Sequence, residues 1–320
     1  MKKRKIIGLG FGAFIAGVYL ANASWIAGMQ GGEMSILAHR GVHQTYHRNG
    51  LTNKTCTAER IDPPTHEFIE NTIPSIQAAV EAGADIIELD IKLTTDGEIV
   101  VFHDETLDCR TDGTGKTHHQ NLAYLRGLDI GYGYTSDGGK TYPFRGQFIG
   151  TIPTLREVLT EFPETRFMVN LKHGKASEGE TYRDYITAAD AKRLELVGSN
   201  RAVAPVIAAY PDMVFQTRQN AKACLKGYAL TGWYGGIPET CANSYVPLPS
   251  NLRHFIWGWP HRFEKRLQAV GSRSMLLGPY DGVGSDGLDE LEQLSVIPKN
   301  YKGIVFTNKI EVIGPELVPN

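Results

Sequence analysis

The 320-residue sequence has no marked excess of charge of either sign. Its 33 lysines and arginines and 35 aspartates and glutamates give a formal net charge of −2, which excludes the strong cationic field of a general nucleic-acid-binding protein. The sequence also lacks an internal repeat and a low-complexity linker, so one large domain is favoured over a string of modules. The 42% of hydrophobic residues is the share found in ordinary globular proteins.

Acidic side chains are missing from residues 1–32, whereas four of the positive charges lie at positions 2–5. The chain then runs apolar or small from Ile6 to Ala21, the layout of a signal peptide or an N-terminal membrane anchor. Ala21-Asn22-Ala23 offers a cleavage site, but the apolar run continues far enough to span a bilayer, so both alternatives stay open beside that of a buried helix. We expect the body, residues 33–320, to be exported to the periplasm or the extracellular side, with membrane contact through the N-terminal segment if it is retained.

Cysteine is scarce, and its spacing gives no support to a zinc motif. The four cysteines form no Cys-x-x-Cys pair. An even number of cysteines in an oxidising compartment predicts two disulfides. Of the three pairings that are possible, we favour Cys56–Cys109 and Cys224–Cys241, the second because its separation of 17 residues closes a single loop. Four free buried thiols are the alternative.

From Ser35 onward, short apolar and β-branched segments alternate with helical patterns, which favours one α/β domain. The predicted strands cover residues 35–38, 85–91, 98–102, 166–171, 202–208, 212–216, 254–257, 274–277 and 303–307. The predicted helices cover residues 72–82, 155–161, 182–197, 220–226, 262–270 and 288–294. About eight strand units predict a (β/α)8 TIM barrel, with an open doubly wound sheet as the alternative. Residues 43–67 and 110–150 are too long for routine connections, so we interpret them as insertions over the active-site mouth.

Two carboxylates lie in one apolar strand, in the segment Ile86-Ile87-Glu88-Leu89-Asp90-Ile91. Residues two apart share a face of a strand, so Glu88 and Asp90 point the same way. Unpaired, they would repel each other, and a divalent cation such as Mg²⁺ or Ca²⁺ would remove that repulsion. An edge strand with a solvated acidic face is the alternative.

The next segment predicts a β-hairpin that adds a histidine to these carboxylates. Thr95-Asp96-Gly97-Glu98 is typical of a two-residue turn. In that register Asp90 lies opposite His103, with both side chains on one face. Asp104 follows and can orient the imidazole.

A second histidine, His39, follows the first predicted strand. At the C-terminal end of a barrel strand it would project into the mouth where barrel active sites form, and the adjacent Arg40 would offer a guanidinium to a phosphate. Lys172 follows another strand, two residues after Asn170. The two insertions add further histidines, which are surface residues or substrate contacts: His43, His47, His118 and His119.

Several short motifs follow one another in a characteristic order between Ile36 and Lys172. They are His39-Arg40-Gly41, Glu70-Asn71-Thr72, Glu88-Leu89-Asp90, Thr95-Asp96-Gly97 leading to His103-Asp104, Leu107 through Arg110-Thr111 to Gly113 and Gly115, Leu155 to Leu159, and Asn170-Leu171-Lys172. Together they resemble the glycerophosphodiester phosphodiesterase family. The resemblance implies a (β/α)8 barrel that hydrolyses glycerophosphodiesters to glycerol 3-phosphate and an alcohol, with two histidines and one divalent cation.

The resemblance also implies a role for each matched residue. His39 and His103 would be the acid–base pair, and Glu88 and Asp90 would be metal ligands. Arg40 and Lys172 would bind the phosphate, and Arg40 would also be catalytic. Glu70 and Asn71 would support the site. Asn170 stands where the family has the glutamate of a Glu-x-Lys motif, so we expect a third ligand without negative charge and weaker binding of Mg²⁺ or Ca²⁺. A lysophospholipase D-like enzyme with a lysolipid substrate and a phosphate-binding barrel without catalysis are the alternatives.

Overall fold

The computed structural model describes residues 2–27, 31–52, 55–282 and 286–318. These residues form two compact units, and each unit gathers two separate stretches of chain. The first unit comprises Met1–Ser35 and Val214–Phe306, and the second comprises Ile36–Met213 and Thr307–Asn320.

Strands and helices alternate along most of the described chain. The strands are β1 Ser35–His39, β2 Ile86–Leu93, β3 Ile99–Val101, β4 Arg166–Leu171, β5 Leu194–Gly198, β6 Phe215–Thr217, β7 Tyr245–Pro249, β8 Arg273–Leu277 and β9 Ile304–Thr307. The α-helices are α1 Lys2–Asn22, α2 Ile73–Glu81, α3 Leu122–Arg126, α4 Leu155–Glu161, α5 Ala176–Tyr185, α6 Asn200–Ala209, α7 Arg218–Thr231, α8 His261–Gln268 and α9 Ile310–Leu317. Short 3₁₀ helices lie at Ser24–Ile26, Ala58–Arg60, Thr117–His119, Asp190–Lys192, Gly232–Tyr234, Glu239–Cys241, Arg253–Phe255 and Leu291–Val296.

The second unit is built on a parallel sheet in the order β1-β2-β4-β5. β2 lies between β1 and β4, and every residue of β2 before Leu93 is buried. Burial on both faces is typical of a parallel strand that is covered by helices. The alternative of an edge strand with a solvated acidic face is therefore wrong for Glu88 and Asp90.

β3 forms an antiparallel hairpin with β2, but the register differs by one residue from the predicted one. Ile91 pairs with Val101, so Asp90 lies opposite Phe102, whose amide donates to the Asp90 carbonyl at 2.9 Å. The predicted pairing of Asp90 with His103 is wrong. His103 instead follows the hairpin, outside the paired residues of β3.

The turn of this hairpin contains three residues because Thr94, rather than Thr95, closes it. The Thr94 amide donates to the Glu98 carbonyl at 2.9 Å, and the Glu98 amide donates to the Thr94 hydroxyl at 2.9 Å. Gly97 adopts a φ of 86°, as the last residue of a three-residue hairpin turn commonly does.

The two insertions of the second unit pack against each other. The Cys56–Cys109 disulfide links the first insertion to the residue that precedes the second. One hydrophobic cluster includes buried residues from both insertions and from the adjoining hairpin: Ala58, Ile61, Ile69, Val100, Phe102, Leu107, Leu125, Leu128, Ile130, Tyr134, Phe144 and Ile152. The long loops are therefore ordered by a core of their own.

The first unit contains the parallel neighbours β7, β8 and β9, and a bridge between Phe215 and Ser244 joins the start of β6 to the residue before β7. The Cys224–Cys241 disulfide connects α7 to the 3₁₀ helix Glu239–Cys241. Both favoured cysteine pairings are thus confirmed, and they account for the four cysteines of the sequence.

Helix α1 ends against other residues of the first unit. The Asn22 amide donates to the Trp233 carbonyl at 2.7 Å, and Arg266 donates to the Asn22 side chain at 3.0 Å and to the Ala21 carbonyl at 2.9 Å. The ring of Phe14 lies 5.7 Å from that of Trp233. Throughout the described part of the chain, no helix is both long enough and apolar enough to cross a membrane. The signal-peptide alternative and export stay predictions.

Several predicted elements are wrong in type. Residues 202–208 belong to helix α6, residues 253–255 form a 3₁₀ helix, and the end of the predicted helix 182–197 is strand β5. The predicted helix 288–294 is a 3₁₀ helix over Leu291–Val296. A short apolar run such as 202–208 does not by itself distinguish a buried strand from a helix; here the Ser199 hydroxyl accepts from the Ala202 amide and caps the helix.

Candidate active site

The chain turns sharply after β1, and this turn fixes His39 and Arg40. Arg40 and Gly41 have φ values of 59° and 76°, a left-handed conformation that costs a non-glycine residue about 1–2 kcal/mol. A Cβ atom at Gly41 would lie 2.3 Å from the Ser75 hydroxyl oxygen, so glycine is required. The Ser75 hydroxyl and the Asn71 amide donate to the Arg40 carbonyl at 3.1 and 3.0 Å and hold the turn.

The fully buried Asp90 carboxylate is the centre of the site. Arg40 Nε and Lys172 Nζ each lie 3.0 Å from one of its oxygens, and the Asn71 amide nitrogen donates to it at 3.4 Å. Burial alone would raise the pKa of Asp90, but the charges of Lys172 and Arg40 hold that pKa well below its usual range. Asp90 is therefore ionised at neutral pH.

Glu88 lies two residues before Asp90 on the same face of β2. Its Oε1 accepts from Asn170 Nδ2 at 3.0 Å, and its Oε2 is 3.8 Å from His39 Nε2. Oε2 is buried and has no hydrogen-bond partner within the described ranges. Burial, followed by the neighbouring Asp90 charge, raises the pKa of Glu88. Two converging carboxylates with one unsatisfied oxygen fit a hard divalent cation.

Asn170 faces both carboxylates from the neighbouring strand. It pairs with Asp90 in the register of β2 and β4, and its Nδ2 donates to Glu88 Oε1 at 3.0 Å and to Asp90 Oδ1 at 3.3 Å. A side-chain amide carries both donor and acceptor atoms, and in this structure its nitrogen faces the carboxylates. Rotation of the amide about Cβ–Cγ would bring its oxygen to the place predicted for a third ligand.

One hydrogen bond orients each of the two predicted catalytic histidines. His39 Nδ1 bonds to Asn308 Oδ1 at 2.7 Å, and His103 Nδ1 bonds to Asp104 Oδ1. Burial and then the Arg40 charge lower the pKa of both imidazoles. Both rings are close enough for their protonated forms to lower the pKa of the Asp90 carboxyl. Although the predicted register is wrong, His103 thus still belongs to the group around Asp90.

A buried network that the sequence did not predict supports the site. Arg110 donates to Asp104 Oδ2 at 2.8 Å and to the Tyr134 hydroxyl at 2.6 Å, and its Nη2 lies 3.1 Å from Glu70 Oε1. Tyr134 donates to Glu70 Oε2 at 3.0 Å, and Arg40 donates to Glu70 Oε1 at 3.3 Å. From the sequence, Arg110 is identified only as part of a motif. The residues next to it in the sequence do not indicate that it contacts Asp104 and Glu70.

The structure brings the predicted site residues together within the second unit. They are His39, Arg40, Glu70, Asn71, Glu88, Asp90, His103, Asn170 and Lys172. Arg40 and Lys172, which were expected to bind phosphate, both pair with Asp90. The result is a group in which Glu88, Asp90 and Arg40 are buried, whereas His39, His103 and Lys172 are partly exposed.

Comparisons with known proteins agree with this arrangement. The model of the Glycerophosphoryl diester phosphodiesterase family matches residues 39–221. A glycerophosphodiester phosphodiesterase of Caldanaerobacter subterraneus subsp. tengcongensis is 43% identical over 104 residues, which are 32% of this chain. The match spans only 39% of the length of that relative.

Two solved structures are similar to this chain at 17% identity. The glycerophosphoryl diester phosphodiesterase domain of a Mycobacterium tuberculosis protein has a TM-score of 0.59 and covers 88% of this chain and 98% of its own. A phosphodiesterase of Oleispira antarctica in complex with the product sn-glycerol-3-phosphate has a TM-score of 0.52 and covers 88% of this chain and 96% of its own. These likenesses confirm the predicted (β/α)8 barrel fold. Because the family model matches more than half of the sequence, this chain belongs to the glycerophosphoryl diester phosphodiesterase family.

Proposed function

We propose that this chain hydrolyses glycerophosphodiesters to glycerol 3-phosphate and an alcohol. The observation that carries the proposal is the position of the partly exposed His39, whose Nε2 lies 3.8 Å from Oε2 of the buried Glu88, two residues before the buried Asp90. Imidazoles beside paired carboxylates and fixed cations can move protons and offset the charge that develops on a reacting phosphate. The names of the relative and of the structure with bound product support the same substrate class.

We assign the proton transfers to His39 and His103. Because the pKa of each imidazole is lowered, a neutral ring is available to take a proton from the nucleophile at neutral pH. The other ring, when protonated, gives its proton to the leaving alkoxide. Asn308 and Asp104 occupy the Nδ1 atoms, which directs Nε2 of each ring to the substrate.

Glu88, Asp90 and the amide oxygen of Asn170 would hold one hard divalent cation, Mg²⁺ or Ca²⁺. When bound, such a cation stabilises negative charge on the phosphate oxygens. The unpaired Glu88 Oε2 supports this assignment. Arg40 and Lys172 place fixed positive charge beside the same carboxylates. Since Asn170 is neutral, we expect weaker cation binding than three carboxylates would give.

Export to the periplasm or the extracellular side is part of the proposal. Two disulfides support it, because such bonds persist in oxidising compartments. The mass of the mature chain tests the N-terminal segment: a chain that begins at Ser24 supports a cleaved signal peptide, and a retained segment supports a role in membrane contact.

Turnover of glycerophosphocholine by the full chain with Mg²⁺ or Ca²⁺ tests the assignment. His39→Ala and His103→Ala should each lower kcat by about 10²–10⁴-fold, the usual contribution of general acid–base catalysis. His254→Ala is the matched control, since His254 is exposed and belongs to the first unit. Near-normal turnover in either active-site variant would refute the assignment. Preference for a lysophospholipid would favour the lipid phosphodiesterase, and binding of glycerol 3-phosphate without any turnover would favour the non-catalytic barrel.

A further inference from the structure

A second cluster of metal-binding side chains lies outside the group described above. Glu105 follows the β3 strand, His118 lies in the 3₁₀ helix Thr117–His119, and His173 follows β4. Their ligand atoms all lie within 4.8 Å of one another. His118 Nδ1 is 3.3 Å from Glu105 Oε1, and His173 Nδ1 is 4.0 Å from Glu105 Oε2. Three separate stretches of chain therefore converge on one point.

We propose that Glu105, His118 and His173 bind one borderline divalent cation of the Zn²⁺ class, at a site separate from Glu88 and Asp90. Two imidazoles and one carboxylate form the donor set of zinc sites that leave the fourth position to water. Mg²⁺ and Ca²⁺ prefer ligand sets made of oxygen alone, so the two sites should select different cations.

A buried nitrogen atom of the cluster, His173 Nε2, supports the binding of a cation. His173 Nε2 is buried, and over the described residues it has no hydrogen-bond partner. The rings of His118 and His173 meet edge to face with centroids 4.0 Å apart, so both imidazoles are held together without a hydrogen bond between them. A buried polar atom that lacks a partner is costly, and a bound cation would offset that cost.

Backbone hydrogen bonds hold the ligands in place before any cation binds. The Thr117 amide donates to the Glu105 carbonyl at 3.0 Å, which fixes the 3₁₀ helix beside Glu105. The His173 amide donates to Oε1 of the buried Glu178 at 3.0 Å. A cation would therefore bind to a site whose ligands are already largely ordered, so little free energy would be spent on ordering them.

The charge of Lys92 repels a cation at Glu105, but Lys92 pairs with the Glu105 oxygen that does not approach His118. Its Nζ lies 2.9 Å from Glu105 Oε2, whereas Oε1 is the oxygen that approaches His118. Because a buried ammonium weakens the attraction of Glu105 for a second cation, binding depends chiefly on the two imidazoles. The two histidines are therefore the decisive positions for a test.

Zn²⁺ titration of the untagged full chain by calorimetry provides that test, with the visible absorption of bound Co²⁺ as a second readout of imidazole ligation. His118→Ala and His173→Ala should each weaken Zn²⁺ binding by about tenfold or more, at least the loss seen when a supporting residue of a metal site is removed. His119→Ala is the matched control: His119 is exposed, meets the His118 ring edge to face with centroids 4.4 Å apart, and lies outside the cluster. Unchanged Zn²⁺ affinity in both cluster variants would overturn the proposal.

Glu88→Gln separates this proposal from the proposed function. The variant should weaken Mg²⁺ or Ca²⁺ binding and retain Zn²⁺ binding. Zn²⁺ binding that is lost in Glu88→Gln but kept in His118→Ala would place Zn²⁺ at the first site and refute the second. Circular dichroism and a thermal melt of each variant establish that it folds, and a rise in Tm with Zn²⁺ in His119→Ala but not in His173→Ala would support the cluster.

Discussion

Replacing Arg110 with methionine removes a cation that is shared by the buried Glu70 and the partly buried Asp104. The Arg110 side chain is 4% exposed, and its guanidinium lies 2.8 Å from Asp104 and 3.1 Å from Glu70. Methionine fills similar space without a charge. Removal of one partner from a buried ion pair costs about 3–5 kcal/mol. We expect a loss of that size in the free energy of unfolding at neutral pH, since both carboxylates lose the same partner.

The loss should depend on pH in a definite direction. Burial opposes ionisation of Asp104 and Glu70, but the Arg110 charge lowers the pKa of both carboxyls. In the wild type they contribute stability that is present above the unfolded-state pKa of about 4 and is lost as the pH falls through the lower folded-state pKa. In Arg110→Met the folded-state pKa rises, and the carboxyls take up protons as the pH is lowered. The stability difference between the two proteins should therefore shrink between about pH 8 and about pH 4.5.

Urea unfolding of the wild type and of Arg110→Met across that pH range measures the effect. Arg110→Lys is the control, because lysine keeps the charge but cannot contact both carboxylates through a planar fork; it should give an intermediate loss. A loss below about 1 kcal/mol at about pH 8, the size expected of an exposed pair, would refute the reasoning. An equal loss at every pH would refute it as well.

Two further predictions concern a buried carboxyl and a disulfide. Burial raises the pKa of Glu264 to about 7, above its unfolded-state value, so the stability that the protonated form contributes is lost as the pH rises from about 4.5 to about 7. Glu264→Gln should abolish this loss, which amounts to up to about 3 kcal/mol in the free energy of unfolding. An unchanged pH dependence of stability in the variant would contradict this. Replacing both cysteines of Cys56–Cys109 with alanine should lower kcat by about tenfold or more, since Arg110 follows Cys109 and donates to Thr57 beside Cys56 at 2.7 Å. The same change in the disulfide of the first unit should lower stability alone, and equal effects on kcat would contradict the assignment.

The fold could be predicted where local chemistry decides the conformation. Helix α4 covers the predicted residues, and a capping box formed by Thr154 and Glu157 fixes where it begins. Strand β7 was missed because Pro247 and Pro249 lie in it, and proline is rare inside strands. The hairpin register differed by one residue because Thr94 and Glu98 close a three-residue turn instead of the predicted two-residue turn, through both a backbone bond and a bond to the Thr94 hydroxyl.

The centre of the candidate site follows from short motifs, but its surroundings do not. Strand pairing places His39 beside Glu88 and Asp90 beside Asn170, and motif order was enough to predict that these residues meet. Arg110 lies at the start of the long second insertion, and both insertions contribute to one hydrophobic cluster beside it. No sequence period records such long-range packing.

Hydrolysis of glycerophosphocholine by the full chain, measured before and after treatment with EDTA, tests the central claim most directly. We predict release of glycerol 3-phosphate and choline, loss of turnover with EDTA, and recovery when Mg²⁺ or Ca²⁺ is added back. Asp90→Asn, which removes the buried charge of a proposed metal ligand, should not recover. Turnover that EDTA leaves unchanged, or no turnover with either cation, would contradict the proposed function.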